Sequence, residues 1–184
     1  KGGKRLPKGQ KTSAVTTPHP YITVRDFTDS GTVSTKKLGY ISPEIHSGIS
    51  RYTISSADVY VSIAGTIGKT GIVPEELNGA NLTENAAKLV LQEGWSKHFV
   101  YWWTRSGDFT EQATEQTRVA AQPKLALQRL ASITLPNAPM EEQLKLYEVV
   151  HALREHTNRL AQRYIADVRD LDDLRQSLLQ KVFA

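Results

Sequence analysis

Alternating apolar and polar positions begin at Tyr21. YITVRD predicts a strand, TDSG (28–31) a turn, and TVS the start of a returning strand. The next stretch, KKLGYISPEIHSGIS (36–50), has no clear period and carries Gly39, Pro43 and Gly48, which predicts an exposed, irregular excursion. RYTI and DVYVSIAG then alternate or run apolar as strands do, and TGIV does so again after the tight turn GTIGK (65–69). Residues 57–73 therefore predict a β-hairpin with a glycine-rich tip, and NAAKLVL (85–91) predicts a further strand.

From Trp95 the spacing becomes helical. In WSKHFVYWWTRS, Phe99, Trp102 and Trp103 share a face and Gly107 offers a stop. An aromatic stripe of this kind predicts core packing rather than a base-stacking platform. DFTEQATEQT predicts a second helix, RVAAQPK a loop, KLALQRL a short helix and ASITLP a strand stopped by Pro136. The clearest element opens at Pro139, with Glu141 and Glu142 suited to a first-turn dipole, and no Gly or Pro follows through Ala184. Apolar or small positions recur there in steps of three or four, at Leu146, Val150, Leu153, Thr157, Leu160, Tyr164, Val168, Leu171, Leu174, Leu178 and Val182, with a stutter near Tyr164–Val168. About 44 residues at about 1.5 Å each span roughly 65 Å. That exceeds what a domain of this size covers with its own surface. A helix folded back on its own domain is the plainer reading; a seam for a partner helix is the one preferred. The pairing residues expected are Leu153, Leu160, Tyr164, Val168, Leu171, Leu174, Leu178 and Val182. The expected fold class is α+β. A globular domain over 1–139, with a twisted, largely antiparallel β-sheet and short helices, precedes one long coiled-coil-type α-helix over 140–184.

Composition narrows the chemistry. The 184 residues are 39% hydrophobic and contain no cysteine. That excludes a disulfide scaffold, thiolate metal sites and a cysteine nucleophile. The apolar runs are too short to span a membrane. No basic-then-apolar leader opens the chain, so no export signal is expected, and a first residue other than Met points to a piece of a longer protein. The net charge is +4, and its placement is uneven. Residues 1–139 carry 16 Lys/Arg against 11 Asp/Glu, whereas 140–184 carry 7 against 8. A basic surplus confined to the first part is a mild argument for a polyanionic partner there, although a soluble surface with a slight excess reads as well on charge alone. The opening KGGKRLPKGQK reads as a mobile basic arm.

GTIGKTG invites a phosphate-loop reading, which its spacing rejects. Gly68-Lys69-Thr70 supplies the end of the motif, but the earlier glycine would have to stand at Ile63, and a strand rather than a helix is expected to follow. What remains is a hairpin tip with Thr66, Lys69 and Thr70. It can touch a DNA backbone; it can equally be a turn that needs glycine, and the turn is slightly favoured. The five histidines show no metal spacing, and no local motif suggests a Ser-His-Asp set. The carboxylates at 167–173 read as a solvated helix face. Asn81 begins NLTEN, where amides either read adenine edges or cap turns, the commoner use. The residues expected at a nucleic-acid surface are Arg5, Lys36, Lys37, Arg51, Thr66, Lys69, Thr70, Asn81, Arg118 and Lys124. No catalytic or metal-binding residue is expected.

The blocks GKRLPKG, YISPEIHSGISRYTI, SIAGTIGKTGIVP and NLTENAAKLVL, in that order, closely resemble a target recognition domain of the specificity subunit of type I restriction–modification enzymes. QPKLAL, LASITLPNAPMEEQ and the helix ending LDDLRQSLLQKVFA resemble that subunit's shared helical region. The resemblance covers nearly the whole chain. It implies a non-catalytic, cytoplasmic, prokaryotic protein that recognises one half of a split double-stranded DNA target. Long antiparallel helices would set the gap between half-sites and hold modification subunits, which bring S-adenosylmethionine and methylate adenine N6. Restriction subunits, with ATP and Mg, would join indirectly. Consistently, the chain has no Pro-Pro dipeptide and so lacks the Asn/Asp-Pro-Pro-aromatic methyltransferase motif. It departs from the full pattern in carrying one recognition domain and one helix, not two of each. It is therefore either half of a subunit or a natural half-sized version, pairing with a sister segment or a second copy. The rival class is a protein-interaction adaptor that dimerises through its C-terminal coiled coil.

Overall fold

A computed structural model of the chain describes residues 1–117 and 125–183. Contacts divide it into two units, Lys1–Gln143 and Leu144–Ala184. The first unit is α+β. Its elements run β1 (Pro20–Ile22), β2 (Gly39–Tyr40), α1 (Pro43–Ile49), β3 (Val59–Ser62), β4 (Thr70–Ile72), a single 3-10 turn (Glu75–Leu77), β5 (Asn81–Leu82), β6 (Ala86–Leu89), α2 (Lys97–Trp103), α3 (Gly107–Thr117) and α4 (Leu127–Leu130). α5 (Met140–Phe183) begins in this unit and supplies the second.

The strands form two small sheets, ordered β2-β1-β5 and β4-β3-β6. Every pairing is antiparallel except β1 with β5, where Tyr21 lies opposite Asn81 in parallel register. The hairpin expected over 57–73 is β3 and β4, with Tyr60 opposite Gly71. β3 reads as an apolar run because both of its faces are covered. Tyr60 packs with Ile22, Phe27, Val33 and Leu82. Val61 packs with Phe109, Ala113 and Leu130, and Val59 with Phe99 and Val100. Each such buried side chain stabilises the fold by roughly 1.5–3 kcal/mol. The Tyr60 ring stacks on Phe27 at 3.8 Å, and its hydroxyl donates to the Thr32 carbonyl at 2.8 Å. Burial holds that hydroxyl protonated far above the ordinary tyrosine range. Of the aromatic face expected on α2, Phe99 is buried, and Trp102 and Trp103 are half-buried against the core; Val100 and Tyr101, outside that face, are buried with Phe99.

Several elements differ from the sequence reading. The 36–50 excursion contains β2 and α1. Pro43 stands where a helix needs no N–H donor, and Ser42 caps the first turn by accepting from the Ile45 N–H. YITVRD leaves the sheet after Ile22 because the Asp26 carboxylate accepts from both the Thr23 N–H and its hydroxyl, at 2.8 Å each, and closes a turn. The expected return strand is reduced to one bridge, Phe27 opposite Val33, and RYTI to one, Thr53 opposite Asn81. Gly107 starts α3 rather than ending α2, with Ser106 accepting from the Phe109 N–H. ASITLP forms no strand. The Gln112 side chain takes the place of a neighbouring strand, accepting from the Thr134 N–H at 2.9 Å and donating to the Thr134 carbonyl at 3.1 Å.

The start of the basic arm is tied down rather than loose. The Gly3 N–H donates to the Ala86 carbonyl, the Lys4 N–H to Leu82 and the Lys88 N–H to Lys1. A Cβ at Gly3 would stand 2.1 Å from the Thr83 carbonyl oxygen, so only glycine lets the arm lie this close.

α5 opens where Pro139 accepts from the Glu142 and Gln143 N–H groups. Gln143 is its one fully buried residue among those described. Its amide donates to the Gly94 and Ala138 carbonyls at 2.9 and 2.8 Å and accepts from the Ser96 N–H at 2.8 Å. The rest of the 44-residue helix carries its apolar stripe in the open: Leu153 is 63% exposed, Leu171 66% and Val182 73%, and Leu160, Tyr164, Val168, Leu174 and Leu178 are exposed with them. Near its end Leu171, Leu174, Leu178, Leu179 and Val182 line an apolar groove of about 300 Å³. No described helix is long and apolar enough to cross a membrane.

Candidate nucleic-acid interface

The hairpin tip is a built turn. Ser62 clamps Lys69 from both sides: the Ser62 N–H donates to the Lys69 carbonyl at 2.8 Å, and the Ser62 hydroxyl oxygen accepts from the Lys69 N–H at 2.8 Å. The Ser62 hydroxyl donates in turn to the Thr66 carbonyl at 2.5 Å. Gly65 and Gly68 take φ of 76° and 85°, the left-handed region that a side chain resists. The glycines thus serve the turn, and the turn fixes where Thr66 and Lys69 project. β4 follows directly, so the tip does not lead into a helix.

Beside the tip lies a polar cleft of about 380 Å³ where the 28–31 turn, the tip, the end of α2 and Thr110 of α3 converge. Thr28 and Asp29 come from the 28–31 turn, Gly68 and Lys69 from the tip, and Thr104 and Arg105 from the end of α2. Tyr101 holds the arrangement. Its hydroxyl donates to the Ser30 carbonyl at 3.1 Å, and its ring carries the Arg105 guanidinium at 5.9 Å. Gly31, at φ 81°, lies so close that a Cβ would stand 2.0 Å from the Tyr101 oxygen. Thr104 Oγ1 sits 2.9 Å from Thr70 Oγ1 and 2.6 Å from the Tyr101 carbonyl, fixing α2 to β4. In the cleft Lys69 Nζ meets Asp29 Oδ1 at 2.8 Å. The Lys69 ammonium, by hydrogen bond and charge, and Arg105, by charge, hold the Asp29 carboxyl below its usual range. A smaller hollow of about 170 Å³ shares Gly68 and Thr110 with the cleft and continues along Ala113, Thr114 and Thr117 of α3.

The residues expected at a nucleic-acid surface separate into groups. Thr66, Lys69 and Thr70 are together on the tip, with Thr66 exposed, Lys69 half-buried and Thr70 buried. Arg5 is exposed and pairs with Glu84. Lys36 and Lys37 are exposed on the loop before β2, and Arg51 is exposed just after α1. Asn81 is 1% exposed and its amide is used inside the protein. It donates to the Ile49 carbonyl at 3.0 Å, and its oxygen lies 2.7 Å from His46 Nδ1. The His46 ring stacks on His19 at 4.0 Å. In this geometry Asn81 ties β5 to α1 and has no free edge to offer a base. Arg118 and Lys124 lie outside the described residues. Among the described residues no group of three or more His, Asp or Glu side chains could hold a metal ion.

Two charged residues of the cleft, Asp29 and Arg105, escaped the sequence reading. Each is an ordinary charge in a turn or at a helix end. Only the convergence of segments far apart in the chain brings them to Lys69, and no local spacing encodes that.

The family model described as the type I restriction modification DNA specificity domain matches residues 1–169. The type I restriction enzyme EcoBI specificity subunit of Escherichia coli is 27% identical over 163 residues, covering 88% of this chain and 34% of that protein. The chain thus spans about a third of the length of this curated relative. Among solved structures, it superposes with a TM-score of 0.73 and 17% identity on a chain from work on the structural basis of complex assembly and conformational transition of the type I R-M system. That match covers 97% of this chain and 41% of the other. The crystal structure of the HsdS subunit from Thermoanaerobacter tengcongensis gives a TM-score of 0.63 at 21% identity, over 77% of this chain and 37% of that one. At these identities the structural likeness establishes the fold.

Proposed function

The chain belongs to the type I restriction modification DNA specificity domain family, and we propose that it recognises one half of a bipartite duplex target on behalf of partner subunits. The observation that carries this reading is the family match over 1–169, which takes in the tip, the cleft and most of α5. In this reading basic residues on the first unit hold phosphates and so fix register, while loop amides, hydroxyls and other arginines meet base edges and supply sequence. Thr66 and Lys69, fixed by the Ser62 clamp, support such a division of labour.

The chain catalyses nothing in this account. Modification subunits bring S-adenosylmethionine, extrude the target adenine from the stack and methylate it. Restriction subunits, with ATP and Mg, act through them. The exposed stripe of α5 supports pairing with an antiparallel helix, from a sister half or a second copy, and docking of the modification subunits. Calorimetry on the isolated chain should show no saturable binding of S-adenosylmethionine or ATP; stoichiometric binding of either would reveal a catalytic site in this chain.

Duplex binding by the assembled complex, measured with and without this chain over a range of salt, tests the reading. Binding that needs the chain and strengthens steeply as salt falls is expected. Binding that is absent or indifferent to the chain would turn the reading to an adaptor held by α5.

A further inference from the structure

The cleft between the 28–31 turn, the hairpin tip and the end of α2 holds two cations and one anion. Lys69 and Arg105 flank it, and the Asp29 carboxylate lies 2.8 Å from Lys69 Nζ. Asp29 is almost wholly exposed, 93%, whereas Lys69 is 34% exposed. The anion is thus the loosely held member, at the end of a solvated turn. The Lys69 backbone is clamped by Ser62. Arg105 rests over the Tyr101 ring, and its guanidinium adds to the field that keeps Asp29 ionised. An exposed ion pair of this kind contributes little to stability. The Asp29 carboxylate therefore marks a point beside Lys69, in a cleft that Arg105 also lines, where an oxyanion sits at little cost to the fold. An arginine offers a planar fork to a phosphate, and a lysine a point charge. Thr110, at the joint with the hollow along α3, completes the rim, its hydroxyl donating to the Ser106 carbonyl.

The geometry points to this cleft as the seat of a single DNA backbone phosphate, bound jointly by Lys69 and Arg105, with Asp29 as a resident counter-charge that the phosphate displaces. The inference rests on the DNA-recognition reading above and adds to it a site, a ligand group and a role for two residues. Because the ligand is a phosphodiester, the contact positions the duplex and carries no sequence information of its own. Because both cations serve one phosphate, their contributions to counterion release are shared rather than summed.

The test is fluorescence anisotropy with the full chain in its assembled complex, on two duplexes of unrelated sequence, from low to moderate salt. Arg105→Ala and Lys69→Ala should each weaken binding to both duplexes by the same factor, and each should flatten the slope of log affinity against log salt by up to about one. The double variant should flatten it by no more than about one in total. Asp29→Asn should strengthen binding to both duplexes alike, a gain that misfolding cannot produce. A double variant that flattens the slope by about two would mean separate phosphates and would overturn the shared site. Weakened binding or an altered preference between duplexes in Asp29→Asn would make Asp29 a reader of base edges and overturn its role as counter-charge. If all four variants match the wild-type complex while that complex still binds steeply, the cleft faces away from DNA and the half-site reading stands without it. If the wild-type complex shows no salt-steepened binding, both fall.

Discussion

At the residue scale, two buried polar groups carry more of the fold than their types suggest. Gln143 satisfies one N–H and two carbonyls from three separate positions, Ser96, Gly94 and Ala138. Replacing it by Leu strands all three, and an unsatisfied buried backbone group costs about 1–3 kcal/mol. Gln143→Leu should lower stability by about 3 kcal/mol in urea unfolding, and a loss under about 0.5 kcal/mol would mean that water replaces the amide. Lys88 meets Asp58 at 3.0 Å with both side chains largely buried, and Asp58 also accepts from the Ser55 N–H. Removing the lysine leaves a buried charge without its partner, so Lys88→Ala should cost about 3 kcal/mol. Lys88→Ala combined with Asp58→Asn should recover part of that in the same unfolding assay. Neither role was legible in the sequence. Gln143 falls there inside the helical run that opens at Pro139, and NLTEN leaves Asn81 open between a base edge and a turn cap. Gln143 finds Ser96 and Gly94, and Asn81 finds His46 and Ile49, tens of residues away along the chain.

At the element scale, legibility follows how local the cause is. The hairpin shows in the sequence because a strand run, two glycines and a second strand lie within 17 residues, and their pairing is with each other. α1 does not, because Pro43 and Gly48 look like breakers when counted without position, although Pro43 at the first turn and Ser42 before it are starting signals. ASITLP has strand composition but finds the Gln112 side chain instead of a strand, a choice made by tertiary packing. The 28–31 turn gives a sharp test of how its neighbours define it. Gly31 needs both its positive φ and its missing Cβ, which would stand 2.0 Å from the Tyr101 oxygen. Gly31→Ala should therefore destabilise by more than about 1 kcal/mol. It should also weaken duplex binding by shifting Tyr101 and with it Arg105 away from the cleft. Wild-type thermal stability in Gly31→Ala would show that the turn and α2 separate without penalty.

At the scale of the whole molecule, the long helix was the plainest feature of the sequence, and its 44 residues are there in the structure. What the sequence left unread is the cleft beside the tip, because Asp29 and Arg105 reach Lys69 from distant segments. If α5 pairs antiparallel and sets the gap between half-sites, helix length should translate into DNA spacing. Four residues inserted mid-helix add roughly 6 Å, at about 1.5 Å each. Duplex DNA advances about 3.4 Å per base pair along each strand, so the gap should grow by at most about two base pairs with both half-sites unchanged. Four residues overshoot one turn only slightly and keep the stripe aligned, whereas two rotate it away and should break assembly. A changed half-site with an unchanged gap would remove the helix from that role. Half-site recognition by this chain is read out by methylome sequencing of cells that carry the complete complex, with and without the chain. Adenine methylation at a split motif, one half of which disappears or changes when the chain is removed or exchanged, is the result expected. A methylation pattern identical in the two cells would contradict the account.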